Sequence, residues 1–168
     1  MRAAVVQLNS GSEKDRNLAV AERLVRAAAS DGAELVALPE KWNLLGGPEA
    51  LLAGAEALDG PTLNATRGWA RELGIHLVAG SIAERHAGSD RLFNTSALID
   101  PSGEIVTSYR KIHMFDVDVG GVAYRESEHE QPGTDVVVGL VGETEVGLTI
   151  CYDLRFPEIG RASCRERV

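Results

Sequence analysis

The stretch from the N-terminus to Leu38 constrains the fold more than any other, because its hydrophobic period changes twice. Arg2 to Leu8 is a short apolar run that reads as a buried strand. Ser12 then opens a segment in which Leu18, Ala21, Leu24, Val25 and Ala28 recur at helical spacing. Asp31-Gly32 stops that helix, and Ala33 to Leu38 is a second apolar run of strand length. Strand, amphipathic helix and strand make a βαβ unit, whose crossover requires the two strands to be parallel. The fold class is therefore α/β. Sheets of this kind bind ligands outside the carboxyl ends of their strands, and Glu40 sits just past one such end.

The alternation continues downstream. Lys41 to Pro61 is rich in Gly, Pro and small residues and reads as loop with a short helix around Glu49 to Ala55, before a second helix from Thr62 to Leu73 ended by Gly74. Ile75 to Ala83 is expected as a strand. After the polar interval around Gly88-Ser89-Asp90, Asn94 to Asp100 and Glu104 to Tyr109 flank Pro101-Ser102-Gly103 as an antiparallel hairpin, with Lys111 just beyond it. His113 to Gly133 holds no sustained period and is too long for an idle connection, which marks a functional loop. Asp135 to Leu140 and Glu145 to Ile150 are two more expected strands around Gly142-Glu143, and Cys151 ends the second. The tail from Arg161 to Val168 is abruptly polar and carries no apolar stripe.

Composition excludes several function classes. A net charge of -8 argues against a nucleic-acid partner, which would need clustered Lys and Arg to displace counterions. No apolar run approaches the roughly 18 residues that span a bilayer, so no membrane partner is expected. The N-terminus turns polar too early for a signal peptide, which makes the expected compartment cytoplasmic. Cys151 and Cys164 form no CxxC pair, and the four histidines lack the tight spacing of a zinc motif. No metal and no cofactor are expected.

Glu40, Lys111 and Cys151 each come where an expected strand gives way to a loop, and strand ends of one sheet are neighbours in space. Taken singly, each has a plain explanation. A glutamate or lysine at a strand end is usually solvated, and a lone cysteine after Leu148-Thr149-Ile150 is usually a small core residue. The local motifs change that weighting. Leu38-Pro39-Glu40, Tyr109-Arg110-Lys111-Ile112-His113 and Ile150-Cys151-Tyr152-Asp153-Leu154-Arg155-Phe156-Pro157-Glu158 together resemble, in order, the three signature blocks of the nitrilase (carbon-nitrogen hydrolase) superfamily. Met1 to Leu8 and Asn94-Thr95 are also family-like, and the resemblance runs to about Glu158. His113 to Val119 with Tyr124-Arg125-Glu126-Ser127 is most similar to the Nit branch, which contains omega-amidases and deaminated-glutathione amidases. One departure lies at Gly120-Gly121, which follows Val119 directly where the family has a proline before the glycine.

The resemblance implies a four-layer α-β-β-α sandwich of which residues 1–160 are an incomplete carbon-nitrogen hydrolase domain and 161–168 a truncated or non-native tail. The later strands, much of the pocket and the surface of a homo-oligomer are expected to lie outside this chain, and an incomplete sandwich is expected to be poorly soluble by itself. The resemblance also assigns roles. Cys151 is the nucleophile, Glu40 the general base, Lys111 the cation beside the oxyanion, and Glu126 a second glutamate that orients the lysine and the substrate nitrogen. The residues alone favour reading Glu126 as a solvated charge beside Glu128 and Glu130. The Tyr152 N–H is expected as a second oxyanion donor. Tyr152, Phe115 and Tyr124 either line a substrate pocket or belong to the core, and Asp153 and Arg155 are expected to form ion pairs that shape the turn after Cys151. The implied partner is a small-molecule amide. The competing readings are a nitrile or N-carbamoyl amine hydrolase, and an α/β binding module without chemistry.

Overall fold

The computed structural model describes residues 1–163. In chain order its first elements are β1 (Ala3–Val5), α1 (Lys14–Ser30), β2 (Leu35–Ala37), α2 (Pro48–Gly54), α3 (Pro61–Leu73), β3 (His76–Val78), β4 (Ile82–Glu84), β5 (Phe93–Ile99) and β6 (Ile105–Arg110). The six strands form one sheet. β1, β2 and β3 run parallel, as the βαβ pattern requires, and β3 and β4 then lie end to end along one edge of β5 while β6 takes the other.

Strand alternation explains the core. Val36, Leu77, Ala97 and Ile99 point to one face, where they meet Ala21 and Val25 of α1 and Leu63, Trp69 and Ala70 of α3. Their neighbours Leu35, Val78 and Leu98 point the other way. There they pack on Tyr109, Val141, Leu148, Ile150 and Ile159, contributed by β6, by β9 (Val138–Val141), by the segment that follows its hairpin partner β10 (Thr144–Gly147), and by α4 (Pro157–Ser163). Helices thus cover one face of the six-stranded sheet, and the two-stranded sheet with α4 covers the other, a mixed α/β architecture.

Four expectations change. Arg2 to Leu8 is not a buried strand: β1 is the margin of the sheet, and Val5 is 87% exposed on the face away from α1. The Ile75 to Ala83 strand is broken between β3 and β4, at Gly80 with φ 60°. The functional loop from His113 to Gly133 contains a second hairpin, β7 (Asp116–Val119) with β8 (Val122–Arg125), followed by a 3-10 turn at Glu126–Glu128. Gly120 and Gly121 close it with φ 59° and 81°, the two consecutive left-handed residues of the tight turn that matches strand twist. Finally, the ladder of β10 ends at Gly147, and although the Leu148 N–H still donates to Val137 O at 3.0 Å, the Ile150 N–H donates to a side chain, Asp153 Oδ2, at 2.9 Å. Of the expected tail, Arg161 to Ser163 form the last turn of α4, and 164–168 lie outside the described residues. Among the described residues no helix is long and apolar enough to cross a membrane.

Candidate active site

The site is built where three connections leave the sheet. The first is the turn after β2. The Leu38 N–H still donates to Val78 O at 3.0 Å, but the chain then bends over Gly80, so closely that a Cβ there would stand 2.1 Å from the Pro39 carbonyl oxygen. Ser81 ties the bend on both sides: its N–H donates to Pro39 O at 3.2 Å and its Oγ accepts the Lys41 N–H at 3.1 Å. Buried Trp42 adds Nε1–H to Ala79 O at 2.8 Å. The break in the expected strand is what seats this turn. It presents Glu40, whose Oε1 accepts Asn94 Nδ2–H at 2.7 Å from β5.

The second connection leaves β6. The Lys111 N–H donates to Asn94 O at 2.9 Å, and its ammonium is 1% exposed. Nζ lies 2.9 and 2.8 Å from the two oxygens of Glu126 and 3.6 Å from Glu40 Oε1. Burial alone would lower the pKa of this lysine, but the hydrogen bonds to Glu126 and the charge of Glu40 outweigh it and hold the pKa above the ordinary value. Glu126 shows the mirror case. Burial pushes its carboxyl up, and Lys111, the Phe115 N–H at 2.7 Å and Lys41 bring it net below the usual range. It is thus an anion bound on three sides rather than a solvated charge.

The third connection carries Cys151, which opens a 3-10 turn (Cys151–Arg155) with φ 52°. A left-handed backbone at a residue with a side chain is strained, and such strain gathers where a reactive group must be held out from its strand. The sulfur opens onto a cavity, yet partial burial and then the neighbouring Glu40, which is within hydrogen-bonding reach, push the thiol up, against the opposing pull of Lys111. The Tyr152 N–H, in the first turn of this short helix, finds no acceptor among the described residues.

Asp153 fastens the second connection to the third. It is fully buried and accepts Tyr109 Oη–H at 2.6 Å, Ile150 N–H at 2.9 Å, His113 N–H at 3.1 Å and His113 Nδ1–H at 2.7 Å. The His113 ring stacks on Phe156 with centroids 3.7 Å apart. An ion pair with Arg155 is not what shapes this turn: Arg155 is exposed, and the Asp153 oxygens are taken up by Tyr109, Ile150 and His113. Burial raises its carboxyl, but these donors, Tyr109 first, hold it net below the usual range.

A cavity of about 770 Å3 brings Glu40, Lys111, Glu126 and Cys151 to one surface, a size that suits a small ligand. Phe115 and Tyr124 line it from the β7–β8 hairpin. Tyr152 does not; it packs edge-on against Phe115 and Phe156 behind that wall. Of three further wall or support residues, Asn94 is marked in the sequence only as part of the family-like Asn94-Thr95, and Lys41 and Glu130 are given no role. Only the position of Lys41 next to Glu40, and of Glu130 four residues after Glu126, hints at these two. Among the described residues no group of three or more His, Cys, Asp or Glu is arranged to hold a metal.

A layered α/β sandwich with a carboxylate, an ammonium and a thiol converging at the ends of its strands is the class this chain falls into, and by sequence it belongs to the carbon-nitrogen hydrolase family, which matches residues 2–167. Its relatives include omega-amidase NIT2 of Danio rerio, 39% identical over 161 residues, which are 95% of this chain and 57% of that protein. The chain therefore spans a little over half the length of this relative. Among solved structures, Nit3 of Saccharomyces cerevisiae, a member of branch 10 of the nitrilase superfamily, superposes with a TM-score of 0.84 at 29% identity, over 96% of this chain and 60% of that one. A variant of an amidase from Nesterenkonia sp. AN1 with acrylamide added to its active-site cysteine superposes with a TM-score of 0.82 at 28% identity, over 96% and 61% of the two chains.

Proposed function

We propose that the protein is an amidase, which hydrolyses the terminal amide of a small carboxylic acid to the acid and ammonia through a thioester on Cys151. The observation that carries this reading is the convergence of Glu40, Lys111, Glu126 and Cys151 on one cavity. Similarity to omega-amidases supports the choice of a small carboxylic acid's terminal amide as substrate.

Because the resting thiol sits above its ordinary pKa, attack must be coupled to loss of its proton, and Glu40 is the acceptor within reach. Carbon-sulfur bond formation pushes electrons onto the carbonyl oxygen. Lys111, still an ammonium in a nearly dry position, and the unoccupied Tyr152 N–H stabilise that oxyanion more than the neutral carbonyl. Collapse breaks the carbon-nitrogen bond as Glu40 returns its proton to the departing nitrogen. Water, deprotonated by the same carboxylate, then cleaves the thioester and restores the thiol.

The test is ammonia release from alpha-ketoglutaramate, deaminated glutathione, N-carbamoyl amino acids and nitriles. Release from either of the first two is expected. Release from nitriles or N-carbamoyl compounds alone would overturn the amidase reading. Lys111→Ala should lose roughly a hundredfold in kcat, the cost of removing one oxyanion donor, about 3 kcal/mol.

A further inference from the structure

Two charged groups beside the proposed centre, half-buried Lys41 and buried Glu130, have no part in the reaction as written. Lys41 follows Glu40 directly and holds φ 47°, a left-handed conformation that lets consecutive side chains both turn into the cavity wall. Its ammonium lies 2.5 Å from Glu130 Oε1 and 3.7 Å from Glu126 Oε1, so it bridges two carboxyl groups. Glu130 is 3% exposed, and its second oxygen is buried without a donor. Its N–H caps back onto Glu126 O at 2.9 Å, which brings the two carboxyls within hydrogen-bonding reach of each other.

We propose that Lys41 and Glu130 are positioning residues: Glu130 carries a proton that it donates to Glu126, and with Lys41 it fixes Glu126, and through it the Lys111 ammonium, where the oxyanion forms. The inference rests on the amidase reading above. A proton on Glu130 supplies what its second oxygen lacks, since Lys111 already pairs with Glu126 and a buried carboxylate facing that anion with only Lys41 beside it is disfavoured. Burial first, and then Glu126, favour that proton against the pull of Lys41. The resulting order is a line of alternating groups, Glu40, Lys111, Glu126, Lys41 and Glu130, each in contact with the next. Packing does not require it. Apolar side chains of similar volume fill such a wall at least as well as a buried ion pair.

The test compares Glu130→Gln with Glu130→Leu in the full chain. Both remove the ionisable group, but only glutamine still donates to Glu126 and accepts from Lys41. The readouts are kcat and KM for ammonia release, and the rate of Cys151 alkylation by iodoacetamide, which needs no substrate. Glu130→Leu and Lys41→Met should each lose about tenfold in kcat with KM changed less than about twofold, and alkylation should slow, because a displaced Lys111 no longer favours the thiolate. Glu130→Gln should recover at least about a third of the original rate in both measurements. The double variant Lys41→Met with Glu130→Leu leaves neither member of the pair unpartnered; it should melt close to the unaltered protein yet stay as slow as the single variants. Equal rates for the Gln and Leu variants would overturn the proposal, and so would an unimpaired double variant. Absence of ammonia release by the unaltered protein would defeat the amidase reading alone, because the alkylation rates still report whether the pair holds Lys111.

Discussion

Cys151 and Glu40 stand in an antagonistic relation at rest: the carboxylate that is proposed to take the thiol's proton also raises the thiol's proton affinity. This separates two quantities that usually move together. In Glu40→Gln the negative neighbour is gone, so the thiol should titrate at a lower pH and iodoacetamide should label Cys151 faster at pH 8 than in the unaltered protein. Ammonia release should nevertheless be lost, because the proton has no acceptor during attack. Slower labelling in this variant would show that Glu40 promotes the thiolate directly. Asp153 makes the other residue-level prediction. Its carboxyl is held below the ordinary range in the fold, so the stability it contributes is fully present above its unfolded pKa and is lost as pH falls through the folded value. The melting temperature should therefore fall as pH drops below about 4. Asp153→Asn should cost about 1.5–3 kcal/mol at neutral pH, the worth of hydrogen bonds to a buried charge, and its deficit should shrink across that acid range.

At the scale of elements, the turns after β2, β6 and β10 matter more than the strands they leave. Gly80 is the clearest case. At φ 60°, with the Pro39 carbonyl where a Cβ would go, Gly80→Ala should destabilise the protein by about 1–3 kcal/mol and loosen the turn that carries Glu40 and Lys41. A thermal midpoint unchanged by this substitution would mean that the break between β3 and β4 is not under that constraint. The same glycine shows why the sequence misled over Ile75 to Ala83. The run is apolar throughout, and periodicity cannot report that the chain must detour around another segment's carbonyl. The β7–β8 hairpin was hidden for a different reason: Phe115, Tyr124 and their neighbours serve a wall rather than a core, so they show no alternation of buried and exposed residues. The βαβ opening was legible because α1 and both faces of β2 are buried by strictly local patterns. Glu40, Lys111 and Cys151 were legible as motifs, whereas Lys41, Asn94 and Glu130 owe their positions to tertiary contacts that no spacing encodes.

For the molecule as a whole, the layer order sets what the site can be. The six-stranded sheet is covered by α1 and α3 on one face and by β9, β10 and α4 on the other, which leaves the strand ends near Glu40, Lys111 and Cys151 as the open rim. The Tyr109–Asp153 hydrogen bond joins β6 to the 3-10 turn that Cys151 opens, so the ammonium and the sulfur are held together by a tertiary contact and not by one loop. The central claim is that this rim makes and breaks a covalent bond at one sulfur. Intact-protein mass spectrometry during turnover of a terminal amide measures it directly. The account predicts a mass increase equal to the acyl group, mapped to Cys151, and no such species with Cys151→Ala, which should also release no ammonia. An acyl group found on another residue, or ammonia release that survives Cys151→Ala, would contradict it.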